Sequence, residues 1–431
     1  TPARRAALQV LRAVRRGELA DRALARAGAG LSPRDRAWLQ ELAYGTLRLR
    51  GRIDHLLGQL VRRGLDALEP DVLDALRLGA YQLLEMRGVP GYAAVSQTVE
   101  LAKSAAGAGA AALVNRVLHA LIRRRAELRF PSWEEDPVAH LVTWGSHPRW
   151  LVERWVARFG LEETRALVEA NNRRPELFLR PVRMGLDEAR ARLADVQVRA
   201  TPVPFAPDVL RIEPPGAAAR ALALVPAVVQ DPAASLVVRY AAFPPGLRLA
   251  DLAAAPGGKA IALAESARHV VAGDISWGRL RRLRENAARI GGLPLSIVVA
   301  DARRPPIRPV DGVLLDVPCT GTGTFRRHPD ARWRIGPADL DALVRLQREM
   351  LDGAACAVRP GGLLVYATCS LEPEENEQQV EAFLDRHPEY ERLPPPPGFD
   401  PALLDPAGRL FVLPHRVGAD GAFAARMRRR P

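Results

Sequence analysis

Cysteine is scarce. The 431 residues hold three, Cys319, Cys356 and Cys369, too few for the disulfide framework of a secreted scaffold. Lysine is scarcer still, since only Lys103 and Lys259 interrupt an otherwise all-arginine set of basic side chains. Long apolar runs are missing as well: no stretch reads as long and apolar enough to cross a bilayer, so no membrane partner is expected. Residues 1–16 are amphipathic and dense in arginine, without the apolar centre or small-residue cleavage site of a secretory leader. Cytoplasmic residence is the expectation.

What is present in excess is positive charge. Lys+Arg number 62 against 49 Asp+Glu, a net +13. Residues 1–128 alone hold 21 basic against 12 acidic side chains. A polyanion is the implied partner, because neutralising phosphates releases counterions. The competing account is a coding bias that turns lysine into arginine and adds solvated charge. Lys259 resists that bias at the end of a glycine-rich turn, as if the position needs a slim ammonium rather than a planar fork. Lys103 has no comparable setting.

A chain of this length predicts two or three domains. Leu8, Leu11, Val14 and Leu73, Leu76, Leu83, Leu84 recur at helical spacing, and Ser32-Pro33 and Pro70-Asp71 read as helix starts. An all-α bundle is predicted over 1–128, followed by a linker over 129–145, where Pro131, Glu134, Glu135, Asp136 and Pro137 cluster. Helical patterns at 150–160 and 162–171, with strands at 177–180 and 209–212, predict a small α+β module over 146–235. From 236 to 431, short apolar runs at 247–252, 269–273, 295–299, 312–315 and 363–366 alternate with helices at 277–290, 340–358 and 374–386. Such runs have the composition of strands buried on both faces. Their alternation with helices predicts an α/β, doubly wound, Rossmann-like sheet that binds ligands at the carboxyl ends of its strands.

The candidate chemistry falls at those ends. Ala253-Ala254-Ala255-Pro256-Gly257-Gly258-Lys259 follows the first strand and opens a helix, where missing side chains admit a ligand to unpaired backbone N–H groups. It is neither a P-loop nor a G-x-G-x-x-G fingerprint, which disfavours ATP and NAD. Asp274 and Asp301 end the second and third strands and suit ribose hydroxyls and an adenine amino group. Singly, each reads as a helix cap; together with the turn they point to a bound adenosyl group. Asp316-Val317-Pro318-Cys319 ends the fourth strand and Thr368-Cys369 the fifth, so convergent parallel strands would bring two thiols and Asp316 into one cleft. Either cysteine alone is more simply structural, and Cys356, within a helix, reads as core. Neither a disulfide nor a metal reading of the cysteines has support. Arg326, Arg327 and His328, downstream of Cys319, are candidate phosphate contacts.

Through residues 253–259, Asp274, Asp301, Pro318-Cys319 and Thr368-Cys369, residues 247–427 resemble the S-adenosylmethionine-dependent RNA 5-methylcytosine methyltransferases. Glu41-Leu42-Ala43-Tyr44-Gly45-Thr46-Leu47-Arg48 and Leu113-Val114-Asn115-Arg116-Val117-Leu118 resemble the RNA-binding NusB domain. The combination resembles the RsmB (Sun, Fmu) branch, which methylates a cytosine of 16S ribosomal RNA. The resemblance implies S-adenosylmethionine as cofactor, held by residues 253–259, Asp274, Asp301 and Asp316, and 16S rRNA as partner. It implies Cys369 as the nucleophile that adds to cytosine C6, Cys319 as the group that helps release the product, and Asp316 and Lys259 at the base's N3 edge. A monomer is the expected state. Three positions depart from the family pattern: Ala253 and Thr320 stand where cysteine and serine are frequent, and Asp420-Gly421-Ala422-Phe423 lacks one of two usual phenylalanines. A tRNA cytosine-C5 methyltransferase and a non-catalytic RNA-binding or antitermination factor are the alternative readings.

Overall fold

The computed structural model describes residues 1–431, apart from the side chain of Pro215. It divides into two units, one of Thr1–Arg173 with Phe325–Ile335, the other of Arg174–Thr324 with Gly336–Pro431.

The first unit is helical. Its bundle comprises Pro2–Arg15, Ala20–Ala27, Pro33–Arg48, Arg50–Gly58, Pro70–Leu84 and Gly91–Arg124. Ser32 caps the third helix by accepting from the Asp35 N–H at 3.1 Å, ahead of Pro33 at the first helical position. Leu8, Leu11, Leu39, Leu42, Leu76 and Leu118 share one buried core. Each such side chain contributes roughly 1.5–3 kcal/mol relative to exposure.

One expectation is corrected here. Gly91–Arg124 is long and apolar enough, by length and composition alone, to cross a membrane. Its apolarity comes from an alanine- and glycine-rich middle around Gly107, whose φ of 86° breaks the helix. Beyond the break, Val114, Val117, Leu118 and Leu121 insert into the bundle core.

Four more helices complete this unit, Pro137–Thr143, Arg149–Phe159, Leu161–Asn172 and the short Ala331–Arg334. The first lies within the stretch read as linker; Asp136 caps it, accepting from Ala139 N–H at 2.9 Å, and Leu141 is fully buried. Phe325–Ile335 packs inside the unit although the chain reaches it only after eight strands of the other. Phe325 meets the rings of His147 and Trp155. Arg332, fully buried, donates to the carbonyls of Arg48, Ser146, Asn171 and Phe325 and to Asn172 Oδ1 at 2.8–3.3 Å. Burial and that neighbouring guanidinium hold the His147 pKa well below its usual value.

The second unit contains two sheets. The smaller holds β1 (Leu177–Pro181), β2 (Arg199–Val203), β3 (Ala206–Glu213) and β4 (Ala227–Val229), antiparallel in the order β2-β3-β1-β4. The larger holds β5 (Arg248–Asp251), β6 (His269–Asp274), β7 (Leu295–Val299), β8 (Val310–Asp316), β9 (Val358–Thr368), β10 (Tyr390–Arg392), β11 (Leu410–Val412) and β12 (Ala422–Arg429). Its order is β10-β12-β9-β8-β5-β6-β7, with β11 also on β12. β5 to β9 run parallel, as the alternating pattern predicts, and β12 closes one side antiparallel to β9. The strand order reverses at the β5–β8 pair, the kind of point at which open α/β sheets hold ligands.

Val313, Leu314, Leu315, Leu364, Val365 and Tyr366 are all fully buried, so β8 and β9 form the centre of the unit. β7 departs from its expected burial on both faces. It is an edge strand with no neighbour beyond it, and Val299 is 53% exposed. Cys356 is also corrected: it is exposed, at the last residue of the helix Pro337–Cys356, rather than core.

Replacing Arg332 by methionine removes a charged donor from four carbonyls and one amide oxygen. A loss of roughly 3 kcal/mol or more is expected, because hydrogen bonds to charged groups are the stronger kind and their abandoned acceptors remain desolvated. Chemical denaturation followed by tryptophan fluorescence measures it; an unchanged midpoint would contradict the assignment.

Candidate active site

The glycine turn sits between the ends of β5 and β6. Ala254 N–H donates to Gly273 O at 2.8 Å and Ala255 N–H to Asp274 Oδ2 at 3.3 Å, tying the turn to β6. Asp274 is 3% exposed and also accepts from Ser276 N–H at 2.9 Å. Gly257 has a φ of 113°, and a Cβ there would lie 2.4 Å from Leu283 Cδ1. Both conformation and space therefore require glycine. Asp301 lies beyond β7, with its carboxylate engaged by Arg303 at 2.7–3.1 Å; that hydrogen-bonded guanidinium lowers its pKa.

Two features fit an adenosyl cofactor. Ile275 and Val299 are 67% and 53% exposed, and Val299 pairs in register with Asp274, so uncovered apolar surface flanks the carboxylate. Gln230 is 94% buried: its Oε1 accepts from Arg180 Nε at 2.9 Å, which fixes Nε2 as the other end of the amide. That Nε2 has no hydrogen-bond partner among the described residues and lies 3.1 Å from where a Gly258 Cβ would stand.

Deeper in the site, Lys259 Nζ donates to Asp316 Oδ2 at 2.7 Å. Burial would lower the Lys259 pKa, yet the Asp316 carboxylate outweighs it and holds the ammonium charged. Asp251, at the end of β5, is 1% exposed; burial and the nearby Asp316 charge push its pKa up to about 7. One cation thus serves two carboxylates.

The two strand-end cysteines are neighbours. Cys319 Sγ and Cys369 Sγ lie 3.2 Å apart, both free thiols of intermediate exposure. The hydrogen bond with Cys369, then burial, then the charges of Cys369 and Glu375 raise the Cys319 pKa well above its usual value. Either sulfur can donate in this contact.

A buried knot holds both cysteine loops. Glu375, fully buried, accepts from Thr320 N–H at 2.9 Å, from Thr320 Oγ1, and from Gln347 Nε2 at 2.8 Å. Burial raises its pKa, and these donors oppose the shift. Gln347 Nε2 also donates to Pro318 O at 2.9 Å, and Tyr366 O–H to Glu375 O at 2.7 Å. On the Cys369 side, Ser370 Oγ lies 3.1 Å from Thr320 Oγ1, and Asn376 Nδ2 donates to Ser370 O at 2.9 Å. Gly323 N–H donates to Cys369 O at 3.0 Å while Gly421 N–H donates to Gly323 O at 2.8 Å. The altered segment at 420–423 therefore has a backbone role: a Cβ on Gly323 would stand 2.7 Å from both Cys369 O and Gly421 Cα. Phe423 is fully buried in the sheet core.

Residues 253–259, Asp274, Asp316, Cys319 and Cys369 are thus placed around the ends of neighbouring strands, with Asp301 farther along the same edge. Arg326, Arg327 and His328 belong to the first unit. Arg326 is only 6% exposed, which removes its side chain from solvent and from phosphate, whereas His328 is exposed. The sequence reading missed Asp251, Gln230, Gln347 and Glu375. Asp251 could have been found as the acidic end of β5, but the others carry no local signature.

Three family models match the chain: 16S rRNA methyltransferase RsmB/F over residues 244–428, the NusB family over 1–123, and an RsmF/B-like ferredoxin-like domain over 147–219. A Mycobacterium tuberculosis protein is 39% identical over 457 residues, covering 99% of this chain and 96% of its own. Ribosomal RNA small subunit methyltransferase B of Vibrio vulnificus is 36% identical over 400 residues, covering 89% and 91%. The crystal structure of PH0851 superposes with a TM-score of 0.80 at 27% identity, covering 99% of this chain and 98% of that one.

Two outcomes test the geometry. Gly323→Ala forces backbone against backbone, so a loss of about 1–3 kcal/mol is expected in denaturant melts, with slower alkylation of neither thiol. The Asp251 carboxyl binds a proton in the folded protein that the unfolded chain releases near pH 3.8, so its contribution is greatest below that pH and falls as pH rises to about 7. Relative to wild type, Asp251→Asn is expected to gain up to about 4 kcal/mol in stability between pH 4 and 7; a flat difference would contradict the assignment.

Proposed function

Because the chain belongs to the RsmB/F family of methyltransferases, we propose that it methylates C5 of a cytosine in 16S ribosomal RNA. The observation that carries this reading is the 3.2 Å thiol pair beside the Lys259–Asp316 ion pair. S-adenosylmethionine, when bound, supplies the methyl group. Residues 253–259, Asp274 and Asp301 would line its site, and Gln230 would add a donor at Gly258.

Cytosine C5 is a weak nucleophile until C6 is attacked. Cys369 Sγ forms the bond to C6, and the displaced C5=C6 electron pair moves toward N3, where Asp316 and Lys259 stabilise it. C5, now electron-rich, takes the methyl group. The C5 proton must then leave so that the electron pair can reform C5=C6 and expel Cys369.

The electrostatics of the pair suggest why the two thiols have different tasks. Before reaction, the contact with Cys369 and burial hold the Cys319 pKa well above its usual value. Once Cys369 is alkylated by the base, the largest cause of the raised Cys319 pKa is removed. Cys319 then gives up its proton to solvent more readily and, as a thiolate, becomes available to accept the one on C5. The target base must be unstacked to reach this chemistry, at least cost in a loop.

The NusB-like bundle, with its excess of arginine, would supply RNA docking, with Arg327 and His328 in the same unit. A cytoplasmic enzyme acting on the small-subunit RNA follows from this reading.

Incubating the protein with methyl-labelled S-adenosylmethionine and unmethylated 16S rRNA is expected to label one cytosine, with purified tRNA as the competing substrate. Label in tRNA alone would replace the substrate; label in neither would end the proposal. Cys369→Ala is expected to lower the rate at least 10³-fold without a covalent RNA adduct, whereas Cys319→Ala should accumulate one on denaturing gels. The reverse pattern would exchange the two roles.

A further inference from the structure

The same 3.2 Å separation has a second chemical meaning. Two sulfur atoms in a disulfide stand about 2.05 Å apart, so only about 1.2 Å separates this pair from bonding distance. The separation is built into the backbone. β8 and β9 pair in parallel register through Asp316 opposite Ala367, and each cysteine follows within three residues. Gly323 N–H holds Cys369 O on one side, while Glu375 and Gln347 hold Thr320 and Pro318 on the other. Both thiols are of intermediate exposure, so a small oxidant can reach them. Among the described residues Cys356 is the remaining thiol. It precedes the 11-residue strand β9, at the opposite end of the sheet from Cys369.

We propose that Cys319 and Cys369 are a reversible oxidative modification site, closing into an intramolecular disulfide when the protein meets a low-molecular-weight disulfide such as oxidised glutathione. The exchange balances without any further reactant. Cys369 Sγ, having lost its proton, attacks one sulfur of glutathione disulfide; that S–S bond breaks and one glutathione leaves as a thiolate. Cys319 Sγ, deprotonated in turn, attacks Cys369 Sγ and expels the second glutathione. The two electrons of the thiol pair pass to glutathione disulfide, and the two protons end on the released thiols. Cys369 is the first to react because the hydrogen bond between the thiols, and then burial, raise the Cys319 pKa well above its usual value.

If the catalytic reading above is right, closure removes nucleophile and base together, and methyl transfer stops until a reductant reopens the bond. The modification itself does not depend on that reading, and its test needs no RNA. Intact protein is incubated with oxidised glutathione, quenched in acid, denatured and titrated for thiols. Free thiols are expected to fall from three to one, and proteolytic mass spectrometry should recover a Cys319–Cys369 linked peptide two hydrogens lighter than its parts. Dithiothreitol should restore all three. Cys356→Ser should keep the same linked peptide, with no thiol left free. A stable glutathione adduct on Cys369 with Cys319 still free would overturn the proposal, as would linkage through Cys356. Where rRNA methylation is established for the reduced protein, the oxidised form should lose at least 100-fold of that rate and regain it with dithiothreitol.

Discussion

Parallel pairing of β8 with β9 places Asp316 opposite Ala367, and everything at the site depends on that register. A slip by one residue would turn alternate side chains to the other face of the sheet and take one thiol away from the other. Backbone pairing by itself stops before the cysteines, because Pro318 cannot donate to a ladder and the strands end at Asp316 and Thr368. Glu375 takes over from there. By accepting from Thr320 and Gln347 it binds the first loop to the helix Pro337–Cys356, while Tyr366 and Asn376 bind its own turn to β9 and Ser370. A buried carboxyl is costly to desolvate, and the convergence of donors offsets that cost only in this arrangement.

The charge balance at the strand ends gives the retained lysine its physical reason. Lys259 pairs with Asp316 at 2.7 Å with a side chain 18% exposed, and the Asp251 carboxyl adds to the attraction that keeps its ammonium charged. A guanidinium would bring a wide planar fork with five donors to a place that offers one ion-pair partner. Lys103 lies in the first unit, so Lys259 is the lone lysine of the second.

Much of this was readable from sequence, and the failures share a cause. Strand and helix alternation announces the parallel sheet, and Pro-Cys and Thr-Cys at strand ends announce neighbouring thiols, since both are local patterns. Glu375, Gln347 and Gln230 are invisible by such means, because their partners lie 28–55 residues away in the chain. Composition also misled. Arginines after Cys319 suggest phosphate, yet Arg326 and Arg332 are interior, and the terminal nitrogens of Arg332 donate to carbonyl oxygens. The apolar helix Gly91–Arg124 owes its character to small residues that allow close packing as readily as they suit lipid. Cys356 and β7 were misjudged because a helix end and a sheet edge expose residues that periodicity alone assigns to the interior.

The position of Phe325–Ile335 in the chain bears on how the protein is made. Synthesis proceeds from the N-terminus, so residues 1–173 leave the ribosome long before Phe325, Arg332 and Trp333 exist to fill them. At about 5–20 residues per second, roughly 8–32 s separate residue 173 from residue 335. During that interval the carbonyls of Arg48, Ser146 and Asn171 lack the Arg332 guanidinium, and His147 and Trp155 lack the Phe325 ring. The nascent bundle is thus held in an incomplete state until most of the sheet strands have been translated, and the order of translation ties completion of the helical unit to production of the Cys319 loop.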